Sequence, residues 1–344
     1  MRITRDLLHK FARETVKQRQ RSEPDLHAAY LGGSLLDDEP LLGGTTDIDL
    51  ILVHKFQAPT KRETVGLTRE ISLDIFHEVQ DRYAQHRQLR QDPWMGYPLF
   101  NTQIVLFDTD HWLEFIQSSV RADFLKPENI LVRVNYFFNA ARDNWLHLAQ
   151  KSTQNHLEWL DQYLLTLSMA ANALSGLEGP PLSTRRFLMD LRYTCELIRE
   201  PKFFAGFMGL LGATSSNIDR LPAWIDAFEK DYVTLDPSNN PPPHVAACRQ
   251  AYYVDALRDF ASGDVPSDAA WPLLRTWLDV RLASSTPPPS QKSWESLLET
   301  LELTAEAAGQ KVDALDAFLD TLEIEIEDWA ESNGLQNLPD LSVF

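Results

Sequence analysis

The chain has 344 residues, 44% of them hydrophobic and 24% charged, which is enough apolar material for a real core and, by length, for two domains. A net charge of −18 provides none of the basic surface that nucleic-acid binding needs, so polymerases and RNA-end modifiers are disfavoured. Two cysteines, Cys195 and Cys248, form no CxxC and no Cys/His spacing, so structural zinc is not expected.

No apolar run approaches the ~18 residues of a membrane span, and the charged start MRITRDLLHK does not read as a signal peptide. A cytoplasmic, reducing setting is therefore expected. Residues 4–21 carry Leu7, Leu8, Phe11, Ala12 and Val16 at helical spacing, with Thr4 as the cap. Residues 26–31 form an apolar strand running into the turn Gly32-Gly33-Ser34. Twelve residues separate Ser34 from Asp47-Ile48-Asp49, which opens a second apolar run to Val53. A strand alternates its side chains with period two, so Asp47 and Asp49 share one face while Ile48, Leu50 and Leu52 enter a core.

Residues 54–69 read as a polar loop, in which His54, Lys55, Lys61 and Arg62 offer groups for phosphate, with a solvated loop as the favoured reading. Residues 70–78 alternate again, with Ile71, Leu73 and Ile75 on one side and Ser72, Asp74 and Phe76 on the other. His77 falls on the Leu73 side, a packing position rather than a ligand. A polar helix is expected over 81–90, a loop over 93–98 and a strand over 103–107. Beyond residue 110 the strand signal stops. Helices are expected over 111–119, 127–150, 154–177, 184–200, 202–211, 217–233, 245–261, 269–283, 293–308 and 311–332, with Ser183 as an N-cap. Proline-rich stretches interrupt at 236–244 and 284–290. The expected fold class is α+β: a mixed-sheet domain over 1–110, then an all-α domain over 111–344, subdivided near 236–244 or 284–290. Most of the nine tryptophans, at helical apolar positions, are expected in the core.

Two carboxylates on one strand face repel unless a proton or cation stands between them. If Asp74 lies beside them, three hard oxygen donors converge, a set suited to Mg2+ together with substrate phosphates. Two ions so held serve in-line phosphoryl or nucleotidyl displacement. Ser34 and the backbone N–H groups after Gly33 would hold phosphate oxygens. Arg185 and Arg186, in GPPLSTRR, offer guanidinium groups suited to phosphate.

Gly33-Ser34, Asp47-Ile48-Asp49 and Asp74, with Thr46 where a serine often precedes the first aspartate, resemble the DNA polymerase β-like nucleotidyltransferase superfamily. The pattern is specific over 28–108. The helical region that follows resembles the small-molecule branch, as in aminoglycoside nucleotidyltransferases. The resemblance implies two Mg2+ ions on Asp47, Asp49 and Asp74, and a nucleotide site that includes Gly33, Ser34, Thr46, Arg185 and Arg186. It implies transfer of an NMP from an NTP, ATP first among candidates, to a hydroxyl of a small molecule, with release of pyrophosphate. The acidic balance suits an amine-bearing, aminoglycoside-like acceptor, and a homo-oligomer is compatible with the fold. Asp37, Asp38 and Glu39 stand where that family often carries basic residues. The acidic stretch supports an alternative, a non-catalytic nucleotide-binding sensor; a further variant keeps the reaction and makes the chain a protein-modifying AMP transferase.

Overall fold

A computed structural model describes residues 3–36, 39–101, 104–150, 155–213, 218–239 and 241–335. Asp37 and Asp38 of the acidic stretch, and Gln103 of the last expected strand, lie outside the described residues. The strands are β1 (Leu26–Leu31), β2 (Thr46–His54), β3 (Arg62–Gly66), β4 (Ile71–Val79) and β5 (Val105–Asp108). The helices begin with α1 (Arg5–Ser22), α2 (His86–Gln91), α3 (Gly96–Asn101), α4 (Trp112–Asp123), α5 (Pro127–Gln150), α6 (His156–Gly176) and α7 (Phe187–Leu197). They continue with α8 (Pro201–Leu211), α9 (Leu221–Val233), α10 (Gln250–Ser262), α11 (Ala270–Ala283), α12 (Gln291–Thr300) and α13 (Ala308–Ser332). The fold is α+β, as expected. Among the described residues, no helix is long and apolar enough to cross a membrane.

The chain divides into two compact units, Met1–Phe124 with Asp236–Asp259, and Leu125–Leu235 with Phe260–Phe344. The first is built on a mixed sheet ordered β3-β4-β2-β1-β5. Strands β2 and β4 run parallel, and the other pairs are antiparallel. Alternation decides which layer each residue joins. Ile48, Leu50, Leu52, Ile71, Leu73 and Ile75 pack with Leu8, Ala12 and Val16 of α1 on one face. Ala28, Tyr30, Ile51 and Val53 pack with Leu89, Leu99, Leu113, Ile116 and Val120 of α2–α4 on the other. Helix α1 starts where its cap places it: the Thr4 hydroxyl accepts from the Leu7 N–H.

Several local expectations are corrected. Residues 93–98 are not all loop, since α3 begins at Gly96; Pro98 falls in its first turn, where a missing N–H costs nothing. Residues 62–66 form an edge strand inside the expected polar loop. Helix α7 starts at Phe187, so Ser183 does not cap it; Arg186 holds the cap position with no side-chain bond. The helix expected over 293–308 stops at Thr300, because Glu302 adopts a left-handed backbone (φ 53°) that ends the helical ladder.

Residues 236–259, which the hydropathy pattern assigns to the helical region, belong to the sheet unit. Thr64 Oγ1 donates to the Pro243 carbonyl at 3.0 Å, and an Arg69 guanidinium N–H donates to Asp255 Oδ1 at 3.0 Å. Gly43 (φ +58°) sits so close to this segment that a Cβ there would meet the Asp255 carbonyl oxygen at 2.3 Å.

In the second unit, α5 and α6 pack along each other and α13 packs on both. Trp271, Trp277 and Trp294 are buried. Asp231, fully buried, accepts from Trp277 Nε1 at 2.8 Å and from the Ser290 N–H at 3.0 Å, and so ties the 284–290 stretch into this unit.

Gly43→Ala is expected to lower unfolding stability by about 1–3 kcal/mol, since it combines a left-handed backbone with a clash against main chain; urea denaturation followed by circular dichroism measures it.

Candidate active site

The parallel register of β2 and β4 places Asp49 directly opposite Asp74 and Asp47 opposite Ser72. All four residues share the sheet face away from α1. One carboxylate oxygen from each of Asp47, Asp49 and Asp74 lies within 4.8 Å of the others. The turn Gly33–Leu36 closes over them, anchored by the Gly32 N–H, which donates to the Asp49 carbonyl at 2.9 Å. Gly33 has φ +61°, and a Cβ on it would fall 1.6 Å from Asp49 Oδ2. The Gly-Ser turn therefore needs glycine for both its backbone and its approach to the acid. Beside it, Ser34 Oγ is buried with no hydrogen-bond partner, and so is Ser72 Oγ.

The acids are not left to repel one another. Arg249 donates from Nη1 to Asp74 Oδ2 and from Nη2 to Asp47 Oδ2, both at 2.7 Å. Arg62 donates from Nε to Asp74 Oδ1 at 2.7 Å and from Nη2 to Asp74 Oδ2 at 2.5 Å. Arg62 also lies over the Phe76 ring, 4.7 Å from its centroid, and Arg249 over Tyr252 at 4.4 Å. Burial, the largest single effect, works against the charge on Arg62, but the hydrogen bond to Asp74 and the negative charge of Asp74 together lift its pKa above the ordinary value. Burial also opposes the charge on Arg249, whose pKa is nonetheless raised by Tyr253, Asp47, Tyr252 and Asp74 around it.

Asp49 is the member these guanidinium groups do not contact. It keeps some solvent exposure, but burial, then Asp47 and Asp74, push its pKa well above the usual carboxylate value, against the pull of Arg249 and Arg62. An acid in that position is short of a cation. The donor set is three carboxylates on a rigid sheet, and Asp49 still lacks a counter-charge. It fits a hard divalent ion, with Arg249 and Arg62 as the competitors for Asp47 and Asp74.

The remaining expected site residues are distributed differently. Thr46 is fully buried, and its hydroxyl bonds the carbonyls of Pro40 (3.0 Å) and Asp47 (3.1 Å), which pins the entry to β2. Arg185, buried, and Arg186, at the start of α7, belong to the second unit. Arg62, expected in a solvated loop, is on β3. Arg249 carried no sequence signal, since it lies 202 residues from Asp47 in a stretch that reads only as the start of a helix. The alternation of Arg62 with Thr64, in register with Phe76 and Asp74, is the one local pattern that points to Arg62.

No protein-family model matches the chain, and no curated protein matches it. Among solved structures it is similar to a nucleotidyltransferase-like protein from Exiguobacterium sibiricum 255-15, with 11% identity and a TM-score of 0.34 over 97% of each chain. With so loose a superposition, the chemistry rests on the carboxylate geometry.

Two outcomes follow from the charge balance. Because the native Asp49 pKa is raised, its protonated form stabilises the metal-free fold fully below the unfolded value of about 3.9. That contribution is lost as pH rises through the native pKa. Asp49→Asn is thus expected to be more stable than wild type at neutral pH without divalent ions, with the difference vanishing near pH 3–4, as read by thermal melts across pH. Arg249→Met leaves buried Asp47 without its guanidinium partner and Asp74 with Arg62 alone, and is expected to cost about 3–5 kcal/mol; Mg2+ is expected to raise its melting temperature more than that of wild type.

Proposed function

We propose that the chain is a Mg2+-dependent nucleotidyltransferase that moves an NMP from an NTP, ATP first, to a hydroxyl of a small molecule and releases pyrophosphate. The observation that carries this reading is the convergence of Asp47, Asp49 and Asp74 behind a glycine turn that admits no side chain. Divalent ions, when bound, would lower the pKa of an attacking hydroxyl and neutralise the leaving pyrophosphate. Asp47 and Asp49 would hold both ions, and Asp74 would hold one and orient the acceptor hydroxyl. Ser34 Oγ and the N–H groups after Gly33 would donate to phosphate oxygens, which gives the unpartnered hydroxyl its partner. Thr46 sets the start of β2 beneath them. Arg62 and Arg249 neutralise Asp74 and Asp47 in the absence of metal. Freed by metal loading, they are planar donors of the kind that triphosphate binding calls for.

The −18 charge favours a cationic, amine-bearing acceptor such as an aminoglycoside. One observation favours a second reading, a nucleotide-binding protein without turnover: the guanidinium groups already satisfy both oxygens of Asp74 and one of Asp47.

Pyrophosphate release from ATP, over a panel of aminoglycosides and other hydroxyl compounds, is expected only with Mg2+. Asp49→Ala is expected to lower it by ~10³-fold or more, because ion stabilisation is worth several kcal/mol and each ~1.4 kcal/mol is tenfold. Equal rates for the two proteins reject the assigned site. ATP binding with no turnover over the panel supports the second reading, and label from ATP appearing on a protein band assigns a protein hydroxyl as the acceptor.

A further inference from the structure

The opposite face of the same sheet holds a second cluster that the nucleotidyl chemistry does not use. His54 ends β2, and the register sets its neighbour Leu52 opposite His77 on β4. Both rings therefore project on the α1 side, where Glu23 caps the C-terminus of α1. Both side chains are wholly buried and that of Glu23 largely so. His54 Nε2 lies 2.9 Å from His77 Nδ1 and 3.9 Å from Glu23 Oε2. The other nitrogen of each ring faces a carboxylate: His77 Nε2 is 3.0 Å from Glu63 Oε1, and His54 Nδ1 is 3.6 Å from Asp25 Oδ1.

Two neutral imidazoles do not satisfy this arrangement. The Glu63 contact calls for the His77 proton on Nε2, which leaves Nδ1 a lone pair toward His54. A His54 proton on Nε2 answers that lone pair but turns a bare Nδ1 toward the Asp25 carboxylate. A proton on Nδ1 instead sets two lone pairs against each other. One ligand atom from each of Glu23, His54 and His77 lies within 4.8 Å of the others. His54 Nδ1 and Glu23 Oε2 are both buried without a hydrogen-bond partner, while Glu23 Oε1 is held by Arg19 at 2.8 Å.

We propose that His54 Nε2, His77 Nδ1 and Glu23 Oε2 form a site for one zinc-class divalent cation that clamps the end of α1 to β2 and β4. Two imidazoles and one carboxylate make a recurrent zinc donor set that leaves a fourth position for water. Tetrahedral bonds of ~2.0–2.1 Å to nitrogen need the two rings to part by only a few tenths of an ångström. Glu63 behind His77 and Asp25 behind His54 are the outer carboxylates that fix ligand tautomers in such sites. The cluster escapes a cysteine-and-histidine motif search because its ligands come from a helix end and two strands.

The full chain, stripped with a chelator and titrated with Zn2+ against a chromophoric competitor, is expected to bind one tight equivalent and to melt at a higher temperature. Co2+ in its place is expected to give the intense visible bands of four-coordination. His54→Gln and His77→Gln are expected to weaken binding by more than ~100-fold, since even outer-shell partners are worth ~10–100-fold. Glu23→Gln, whose cap bond is made by the backbone N–H, is expected to keep the fold and to weaken binding measurably even if the histidine variants do not fold. Asp49→Asn is expected to leave zinc affinity unchanged. No tight zinc uptake by the folded wild type overturns the proposal, as does uptake that Glu23→Gln and His77→Gln leave unchanged or that Asp49→Asn abolishes.

Discussion

Three acids on one sheet face must be supplied with positive charge, and much of this unit's architecture answers that demand. Asp47, Asp49 and Asp74 stand within a few ångströms of one another on the central strands. In low dielectric such a trio cannot remain fully ionised unaided. Here Arg62 comes from the edge strand, and Arg249 from a segment that returns to the sheet unit after more than a hundred residues. These two guanidinium groups give Asp74 and Asp47 their counter-charge, and Asp49 carries what imbalance is left.

That residue links structure to chemistry. On the proposed reading the site is under-neutralised until a divalent ion is bound, and the arginines limit that cost with partners that can be exchanged. The same positive groups suit phosphate once carboxylates and metal pair with each other. The glycine turn completes the arrangement, because only a residue without a Cβ leaves room for the Asp49 carboxylate.

The sheet also separates two chemistries by parity. Odd-numbered positions of β2 carry the acids on one face, while even-numbered positions carry the α1-facing core and end in His54. On β4 the parity is reversed, so Asp74 joins the acids and His77 joins His54. A parallel pair in this register puts hard oxygen donors on one side and imidazole nitrogens on the other, through the same two strands. The two sets would select different cations by ligand type alone.

Much of this was legible in order along the chain. Thr4 as a cap, the period-two runs in β2 and β4, the facing of Asp47, Asp49 and Asp74, and the helical character beyond residue 110 follow from local rules of spacing and capping. Those rules act over a few residues, so a sequence carries them in plain form. Which side chains neutralise the acids, that residues 236–259 pack with the sheet unit, that His54 is buried against His77 rather than solvated, that the Thr46 hydroxyl bonds the Pro40 and Asp47 carbonyls, and that α7 starts beyond Ser183 were decided by the tertiary fold. Each depends on partners far apart in the chain or on neighbouring strands, whose meeting is set by the free energy of the whole packed unit and leaves no periodic trace in the residues themselves.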